Sequence, residues 1–141
     1  MGNYPEEIVA PMRQELVKAG FHQLLEPSDV DAALQQPGLC LLVVNSVCGC
    51  AAAGARPGVI EALQRGLKFD RLVTVFAGME KAATQQAREY FEGAMPTSPQ
   101  AAILKDGQLV HLMQRQAFLD RHPVEIADSL QAAYERALAA S

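Results

Sequence analysis

The chain has 141 residues and a formal net charge of −4; half of its residues are apolar and a fifth are charged. This length and balance are typical of one globular domain that can bury a core. No apolar run approaches the roughly 20 residues of a membrane span, and the acidic balance weighs against nucleic acid as a partner.

Two helices are predicted near the N-terminus. The stretch PMRQELVKAG has Pro11 at a first helical position and Gly20 at the end of an apolar stripe. Ser28 and Asp31 resemble a capping box, which would open a second helix that the Pro-Gly pair at 37–38 stops.

A buried strand and a further helix follow. The run from Leu39 to Asn45 is almost entirely apolar, as in a strand buried on both faces. From Cys50 to Gly66 the pattern is helical. Pro57 lies inside this stretch, where it either kinks the helix or marks the first turn of a second piece.

The second half of the chain predicts a strand, a helix, a hairpin and a helix. The strand spans Arg71 to Ala77, and the helix spans Lys81 to Phe91. Gln100 to Gln114 form a hairpin, because Asp106–Gly107 supplies the positive φ angles of a two-residue turn. Apolar residues from Ile126 to Leu138 keep a 3.6-residue rhythm.

This order of elements predicts an α/β fold. From Leu39 onward a parallel strand–helix–strand unit precedes an antiparallel hairpin and a covering helix. That is the order of a thioredoxin-like domain with a central four-stranded mixed sheet flanked by helices. We expect a single domain over residues 1–141, with residues 1–38 as an N-terminal helical extension packed on it.

Two cysteines lie where an open α/β sheet places its sites, between a strand and its helix. A thiolate at a helix N-terminus is stabilised by unpaired N–H groups, which lowers its pKa. A Cys48–Cys50 disulfide closes a ring of only about eleven atoms, and Gly49 tolerates the bend this requires. Such a bond is labile, so the spacing favours thiol–disulfide exchange over a structural staple.

The other candidate residues are less specific. Arg56 would add positive charge if its helix turns it toward the sulfurs, and otherwise it is a solvated surface residue. Cys40 is expected to be a small buried side chain within its strand. No targeting signal is evident in the sequence, and a close cysteine pair without one favours a reducing, cytoplasmic setting.

A second class of function remains open, a thiolate metal-binding module that uses Cys48 and Cys50. Only two cysteines are close in sequence, however, whereas a closed structural site has four ligands. The three histidines, at positions 22, 111 and 122, show no metal-ligand spacing. We therefore expect no metal site and no tightly bound cofactor.

The segment PTSPQ supplies a further clue. In the thioredoxin-like topology, the loop before the third strand carries a proline in a cis peptide bond beside the reactive sulfur, and Pro99 occupies that position. We expect Ser98–Pro99 to be cis, although cis is uncommon at X–Pro bonds. The backbone at Ser98 would then pair with a substrate chain.

The motifs VVNSVCGCAA, ARP, TVFAG, REYF and PTSP together resemble the bacilliredoxins, a bacterial family of thioredoxin-like thiol–disulfide oxidoreductases. The resemblance runs from PMRQEL to the last helix. Where the family has a histidine after the arginine that follows the last strand, this chain has Gln116 after Arg115. This departure leaves the role of that loop open, whereas the cysteine motif matches the family.

The resemblance implies an activity and a site. Cys48 would be the nucleophile and Cys50 the resolving cysteine, acting on mixed disulfides between client proteins and the small thiol bacillithiol, with disulfide isomerase activity in addition. Bacillithiol would be a co-substrate, and S-thiolated proteins would be the partners of a monomer or weak homodimer. Gly49, Ser98, Pro99 and Arg56 complete the predicted site as substrate-binding residues.

Overall fold

The computed structural model describes residues 2–139. Its α-helices are α1 (Glu6–Val17), α2 (Pro27–Leu34), α3 (Arg56–Gln64), α4 (Lys81–Arg88) and α5 (Pro123–Ala139). Its strands are β1 (His22–Gln23), β2 (Leu39–Asn45), β3 (Arg71–Phe76), β4 (Gln100–Lys105) and β5 (Gln108–Met113). None of the helices in this range is long and apolar enough to cross a membrane.

The strands form one mixed sheet in the order β1-β3-β2-β4-β5. β3 is parallel to both β1 and β2, whereas β4 is antiparallel to β2 and β5. The predicted thioredoxin-like α/β class is confirmed. At the Asp106–Gly107 turn of the β4–β5 hairpin both φ angles are positive, as predicted.

The sheet has one strand more than the four predicted. His22 and Gln23 pair with Val73 and Thr74 at the edge of the sheet. Two residues are too short for a period-2 pattern, so the sequence gives no strand signal there. The segment before residue 39 therefore contributes to the sheet and is not purely helical.

The two N-terminal helices begin earlier than predicted. α1 starts at Glu6, and Pro11 lies inside it. Acidic residues favour a helix N-terminus, and the first turn of α1 holds Glu6 and Glu7. For α2 the capping box uses Glu26 and Asp29, with a proline in the first turn.

β2 is buried along its whole length because helices cover both faces of the sheet. Leu41 and Val43 belong to the core formed with α1, α3 and α5. Cys40, Leu42 and Val44 alternate with them and pack in the core that includes α2 and α4. This arrangement fixes the end of β2, from which the cysteine pair follows.

The helix after the cysteines is divided into two pieces. Residues Ala51–Ala55 form a π-helical turn, and α3 starts at Arg56 with Pro57 in its first turn. Pro57 has no N–H to continue the preceding ladder, which is consistent with a wider turn before it. Of the two alternatives for Pro57, the structure shows that it marks the first turn of a second helical piece.

α4 is shorter than predicted and passes into a 3-10 turn at Glu89–Phe91.

Close packing brings the segment after β5 against the π-helical turn. A Cβ on Gly54 would lie 3.1 Å from the carbonyl oxygen of Phe118 and 3.0 Å from Cδ1 of Ile126. Phe118 itself is buried in the core. The absence of a side chain at Gly54 therefore lets this segment pack directly behind the cysteines.

Candidate active site

The cysteine pair lies at the carboxyl end of β2, where the chain turns into its helix. The carbonyl oxygen of Cys48 accepts hydrogen bonds from the N–H groups of Ala51 (2.9 Å) and Ala52 (3.2 Å). Cys48 thus occupies the position just before the helix, and the backbone N–H groups of Cys50 and Ala51 lie near its sulfur.

The two sulfurs are in direct contact. Cys48 Sγ lies 2.7 Å from Cys50 Sγ, and the two thiols are not joined by a disulfide. Both cysteines are partly exposed, and Gly49 between them is fully open, with no atom within 4 Å of where its Cβ would be. A reagent or substrate can therefore reach the pair from solvent.

The surroundings shift the pKa values of the two thiols in opposite directions. The pKa of Cys48 is lowered, chiefly because the Cys50 thiol donates to its sulfur, and also by backbone N–H groups and the positive charge of Arg115. The pKa of Cys50 is raised by its partial burial and by the neighbouring Cys48 sulfur. Cys48 is therefore the thiol that ionises, and Cys50 keeps its proton.

A short hydrogen-bond chain supports Cys48. Its N–H donates to Ser46 Oγ at 2.9 Å, and the Ser46 N–H donates to Asn45 Oδ1 at 2.8 Å. The Arg56 guanidinium donates through Nη1 to Asn45 Oδ1 (2.9 Å) and to the Ser46 carbonyl (2.8 Å). These bonds fix the backbone from which the Cys48 side chain projects.

The structure does not support Arg56 as a substrate-binding residue. Its side chain is only 2% exposed, and its Nε lies 3.1 Å from Glu15 Oε2 without the alignment for a hydrogen bond. The helix turns Arg56 toward the end of β2, because the polar groups at Asn45 and Ser46 need a buried donor. Arg56 is thus a positioning residue under the site.

The loop before β4 has the predicted backbone. The Ser98–Pro99 peptide bond is cis. Pro99 is buried and Ser98 is partly exposed. Between residues 2 and 139 no group pairs with the Ser98 backbone N–H or C=O. Ser98 thus has a donor and an acceptor available beside the first residue of β4.

Charged and amide side chains hold this loop. Arg88 donates through Nη2 to the Thr97 carbonyl at 2.7 Å and through Nε to Gln100 Oε1 at 3.1 Å. Gln100 is fully buried, and its amide donates to Gln114 Oε1 at 2.7 Å. The Thr97 hydroxyl donates to the same Gln114 oxygen at 2.6 Å.

Arg115 is the site residue that sequence reasoning missed. It follows β5 in a 3-10 turn, Arg115–Ala117. Its charge contributes to the lowered pKa of Cys48 and partly offsets the rise in the pKa of Cys50. The hairpin topology contains the signal, because an antiparallel hairpin returns the end of β5 to the edge where β4 begins. The resemblance left the role of that loop open because Gln116 departs from the family pattern.

Cys40 is separated from the pair. It is fully buried near the start of β2, and burial raises its pKa to about 11. The five residues from Cys40 to Asn45 span roughly 16 Å of extended strand. Within the described part of the chain, no three His, Cys, Asp or Glu side chains come together to hold a metal ion.

Residues 4–137 match the family model described as disulphide isomerase. A bacilliredoxin from Staphylococcus epidermidis is 46% identical over 133 residues, which cover 94% of this chain and 92% of that protein. A bacilliredoxin from Geobacillus kaustophilus is 47% identical over 129 residues (92% and 89%). One from Cytophaga hutchinsonii is 46% identical over 132 residues (94% and 98%).

Solved structures agree on the fold. A putative oxidoreductase with a thioredoxin fold aligns with a TM-score of 0.64 at 15% identity, covering 82% of this chain and 95% of that one. Mitochondrial thioredoxin 3 from Saccharomyces cerevisiae aligns with a TM-score of 0.57 at 16% identity, covering 82% and 94%. At these identities the likeness shows the fold alone.

Proposed function

The chain belongs to the bacilliredoxin family and is a thiol–disulfide oxidoreductase, and from this premise we propose that it removes a small thiol, bacillithiol, from S-thiolated client proteins in the cytoplasm. One observation carries the proposal: two partly exposed sulfurs 2.7 Å apart, one with a lowered and the other with a raised pKa. Such a pair has one thiol that ionises readily and acts as the nucleophile, and a second thiol that stays protonated until the first has reacted.

In the first step the Cys48 thiolate attacks the small-thiol sulfur of the client's mixed disulfide. The S–S bond of the mixed disulfide breaks, and its electron pair leaves with the client thiolate. A new S–S bond joins Cys48 to the small thiol. Cys48 is the residue just before the helix, and it is partly exposed to solvent. The free backbone at Ser98 would align the client chain as an added strand.

In the second step the Cys50 sulfur loses its proton and attacks Cys48. The small thiol leaves as a thiolate, and the Cys48–Cys50 disulfide forms. The neighbouring negative charge that raises the pKa of Cys50 disappears once Cys48 is in a mixed disulfide. Cys50 is therefore activated only after the first step, which gives the two thiols an order. A thiol reductant must then supply two electrons to reopen the pair.

The family description also favours a second activity on the same pair, disulfide isomerisation. Attack by Cys48 on a client disulfide would give a mixed disulfide between the two proteins. If a client thiol resolves that bond before Cys50 does, the client is rearranged and the pair is regenerated without net oxidation. Reactivation of a scrambled disulfide protein without added reductant would measure this activity.

The deciding experiment uses the Cys48→Ser and Cys50→Ser variants with a bacillithiolated model protein. Cys48→Ser should release no small thiol. Cys50→Ser should complete one turnover and retain the small thiol on Cys48, visible as a mass increase on that residue. Activity kept in Cys48→Ser but lost in Cys50→Ser would reverse the two roles, and full activity in both variants would refute the proposal.

A further inference from the structure

A groove of about 500 Å³ opens on the side of the site where β5 ends. Its lining residues come from the loop before β4 and from the segment after β5: Met95, Thr97, Gln114, Arg115, Gln116 and Leu119. We call it the Arg115 groove. Its position matters because Arg115 lies close enough to the two sulfurs to influence both.

The guanidinium of Arg115 has no acidic partner. Its backbone N–H donates to Thr97 Oγ1 at 3.2 Å, but its side chain forms no ion pair or hydrogen bond with any residue from 2 to 139. The backbone is thus held while the charged head remains available. An exposed guanidinium without an acidic partner suits a carboxylate, which it can bind with two parallel hydrogen bonds.

The walls of the groove are partly apolar. Met95 is 73% exposed and Leu119 is 45% exposed, although both side chains are large and hydrophobic. A ligand with a carbon skeleton and an acidic group would cover these side chains and neutralise Arg115 at the same time. A neutral or purely polar ligand would use only part of the surface.

We propose that the Arg115 groove binds the non-sulfur part of a small thiol attached to Cys48, and that Arg115 pairs with a carboxylate of that thiol. This inference rests on the proposed function and names its substrate class: small thiols that bear a carboxylate. The groove selects them after the first exchange step, when their sulfur is bonded to Cys48.

A second cavity, beside α4, has weaker grounds for this role. It is lined in part by Lys81 and Arg88. Two nitrogens of Arg88 are already committed to the Thr97 carbonyl and to Gln100. The cationic side chain among the main causes of the two thiols' pKa shifts is Arg115, not Lys81 or Arg88. Lys81 therefore serves as a matched control, with the same charge in the other cavity.

The test measures exchange on Cys48 directly. In the Cys50→Ser variant the Cys48 thiolate reacts with a symmetrical small disulfide, forming one mixed disulfide and releasing one small thiolate. The equilibrium constant is measured by mass spectrometry for the disulfides of 3-mercaptopropionate (anionic), 2-mercaptoethanol (neutral) and cysteamine (cationic). The measured quantity is the ratio of the anionic to the neutral constant, with and without Arg115→Gln.

The ratio removes the effect of Arg115 on Cys48 itself, because that effect is the same for all three probes. With Arg115→Gln the anionic-to-neutral ratio should fall about 3- to 10-fold at low ionic strength, and the cationic-to-neutral ratio should rise. Arg115→Lys should keep part of the preference for the anionic probe over the neutral one. In the chain with Arg115, added salt should weaken this preference.

Two outcomes would overturn the inference. An unchanged anionic-to-neutral ratio in Arg115→Gln would show that Arg115 does not bind the carboxylate of the small thiol. A loss caused by Lys81→Gln instead would place the acidic group in the cavity beside α4. Because the probes are free disulfides, these results do not depend on release of small thiols from client proteins. Failure of the proposed function would appear only in that separate assay.

Discussion

The Arg115 backbone N–H donates a hydrogen bond to Thr97 Oγ1 at 3.2 Å. This bond joins the loop with the cis proline to the segment after β5, so the two walls of the site are held together. The same hydroxyl donates to Gln114 at 2.6 Å. Thr97 therefore positions the charge that lies beside the cysteines.

Removal of the Thr97 hydroxyl should loosen this link. Thr97→Val keeps the shape of the side chain but loses both hydrogen bonds. The free energy of unfolding, measured with urea, should therefore fall by about 1–2 kcal/mol. It should also raise the pH midpoint of Cys48 alkylation, because Arg115 is less firmly held near the sulfurs.

Thr84→Val provides the matched comparison. The Thr84 hydroxyl is buried and has no hydrogen-bond partner among the described residues. Its removal should be neutral or stabilising and should leave the alkylation midpoint unchanged. Equal losses of stability in the two variants would contradict the role given to Thr97.

Alkylation of Cys48 should depend on pH with a midpoint below that of a free cysteine. The rate rises as the thiol ionises, and the Cys50 thiol, N–H groups and Arg115 all favour the ionised form. Iodoacetamide labelling at a series of pH values, with the labelled residue identified by mass spectrometry, gives the midpoint.

Cys50→Ala should raise this midpoint because it removes the thiol that donates to Cys48. Cys50→Ser keeps a hydroxyl donor and should raise it less. A Cys48 midpoint that equals the midpoint of the unfolded chain would show that the folded site does not activate the thiol.

Two glycines near the pair should respond differently to alanine. At Gly49 a Cβ meets nothing within 4 Å, so Gly49→Ala should leave the reduced protein as stable or up to about 1 kcal/mol more stable. At Gly54 a Cβ would press on the Phe118 carbonyl, and Gly54→Ala should cost about 1–3 kcal/mol. Thermal unfolding of the reduced proteins tests both expectations.

The Gly49→Ala variant has a second expected effect. Closing the short Cys48–Cys50 ring requires the intervening residue to bend, and alanine resists that bend more than glycine. The disulfide of the variant should therefore be easier to reduce in a glutathione redox titration. An unchanged equilibrium would indicate that glycine is not needed for closure.

Arg56 should matter for stability and not for substrate binding. Arg56→Met leaves the Ser46 carbonyl without its buried donor and removes the guanidinium from Asn45, which should cost about 2–4 kcal/mol. Arg65→Met, which removes surface ion pairs to Glu61 and Asp128, should cost much less.

The two possible roles of Arg56 are separated by kinetics. Below the unfolding temperature of the variant, Arg56→Met should leave the KM for a thiolated substrate unchanged, because the guanidinium is not exposed. A large rise in KM without loss of stability would restore the substrate-binding role that the sequence suggested.

Cys40 should make the fold sensitive to alkaline pH. Burial raises its pKa to about 11 from an ordinary value of 9.0. The unfolded chain therefore loses this proton first, and the folded protein loses stability as the pH rises from about 9 to 11. Two pKa units correspond to about 2–3 kcal/mol.

Urea unfolding at a series of alkaline pH values measures this loss. Cys40→Ala should have a shallower dependence on pH over the same range, since the lysines and tyrosines titrate alike in both proteins. Parallel curves would show that Cys40 ionises equally in the folded and unfolded states.

The sequence predicted those features that depend on local pattern. The apolar run of β2, the Asp106–Gly107 turn and the rhythm of α5 each have a period or a turn signal. The position of the cysteine pair and the cis bond at Pro99 followed from the order of elements.

Features that depend on tertiary contacts could not be read in the same way. β1 is only two residues long and exists because β3 has an open edge. The direction of Arg56 is set by the buried polar groups of Asn45 and Ser46, which lie eleven and ten residues away. The position of Arg115 depends on the packing of Phe118 against Gly54, and no local sequence pattern predicts that contact.

The placement of one buried and two reactive cysteines along β2 and its exit has a practical consequence for proteomics. No lysine or arginine occurs between Lys18 and Arg56, so trypsin leaves all three thiols on one peptide. In a cell extract labelled briefly before digestion, the tag on Cys48 would report the redox occupancy of the pair. The tag on Cys40 would report the unfolded fraction, and both readings come from the same molecule.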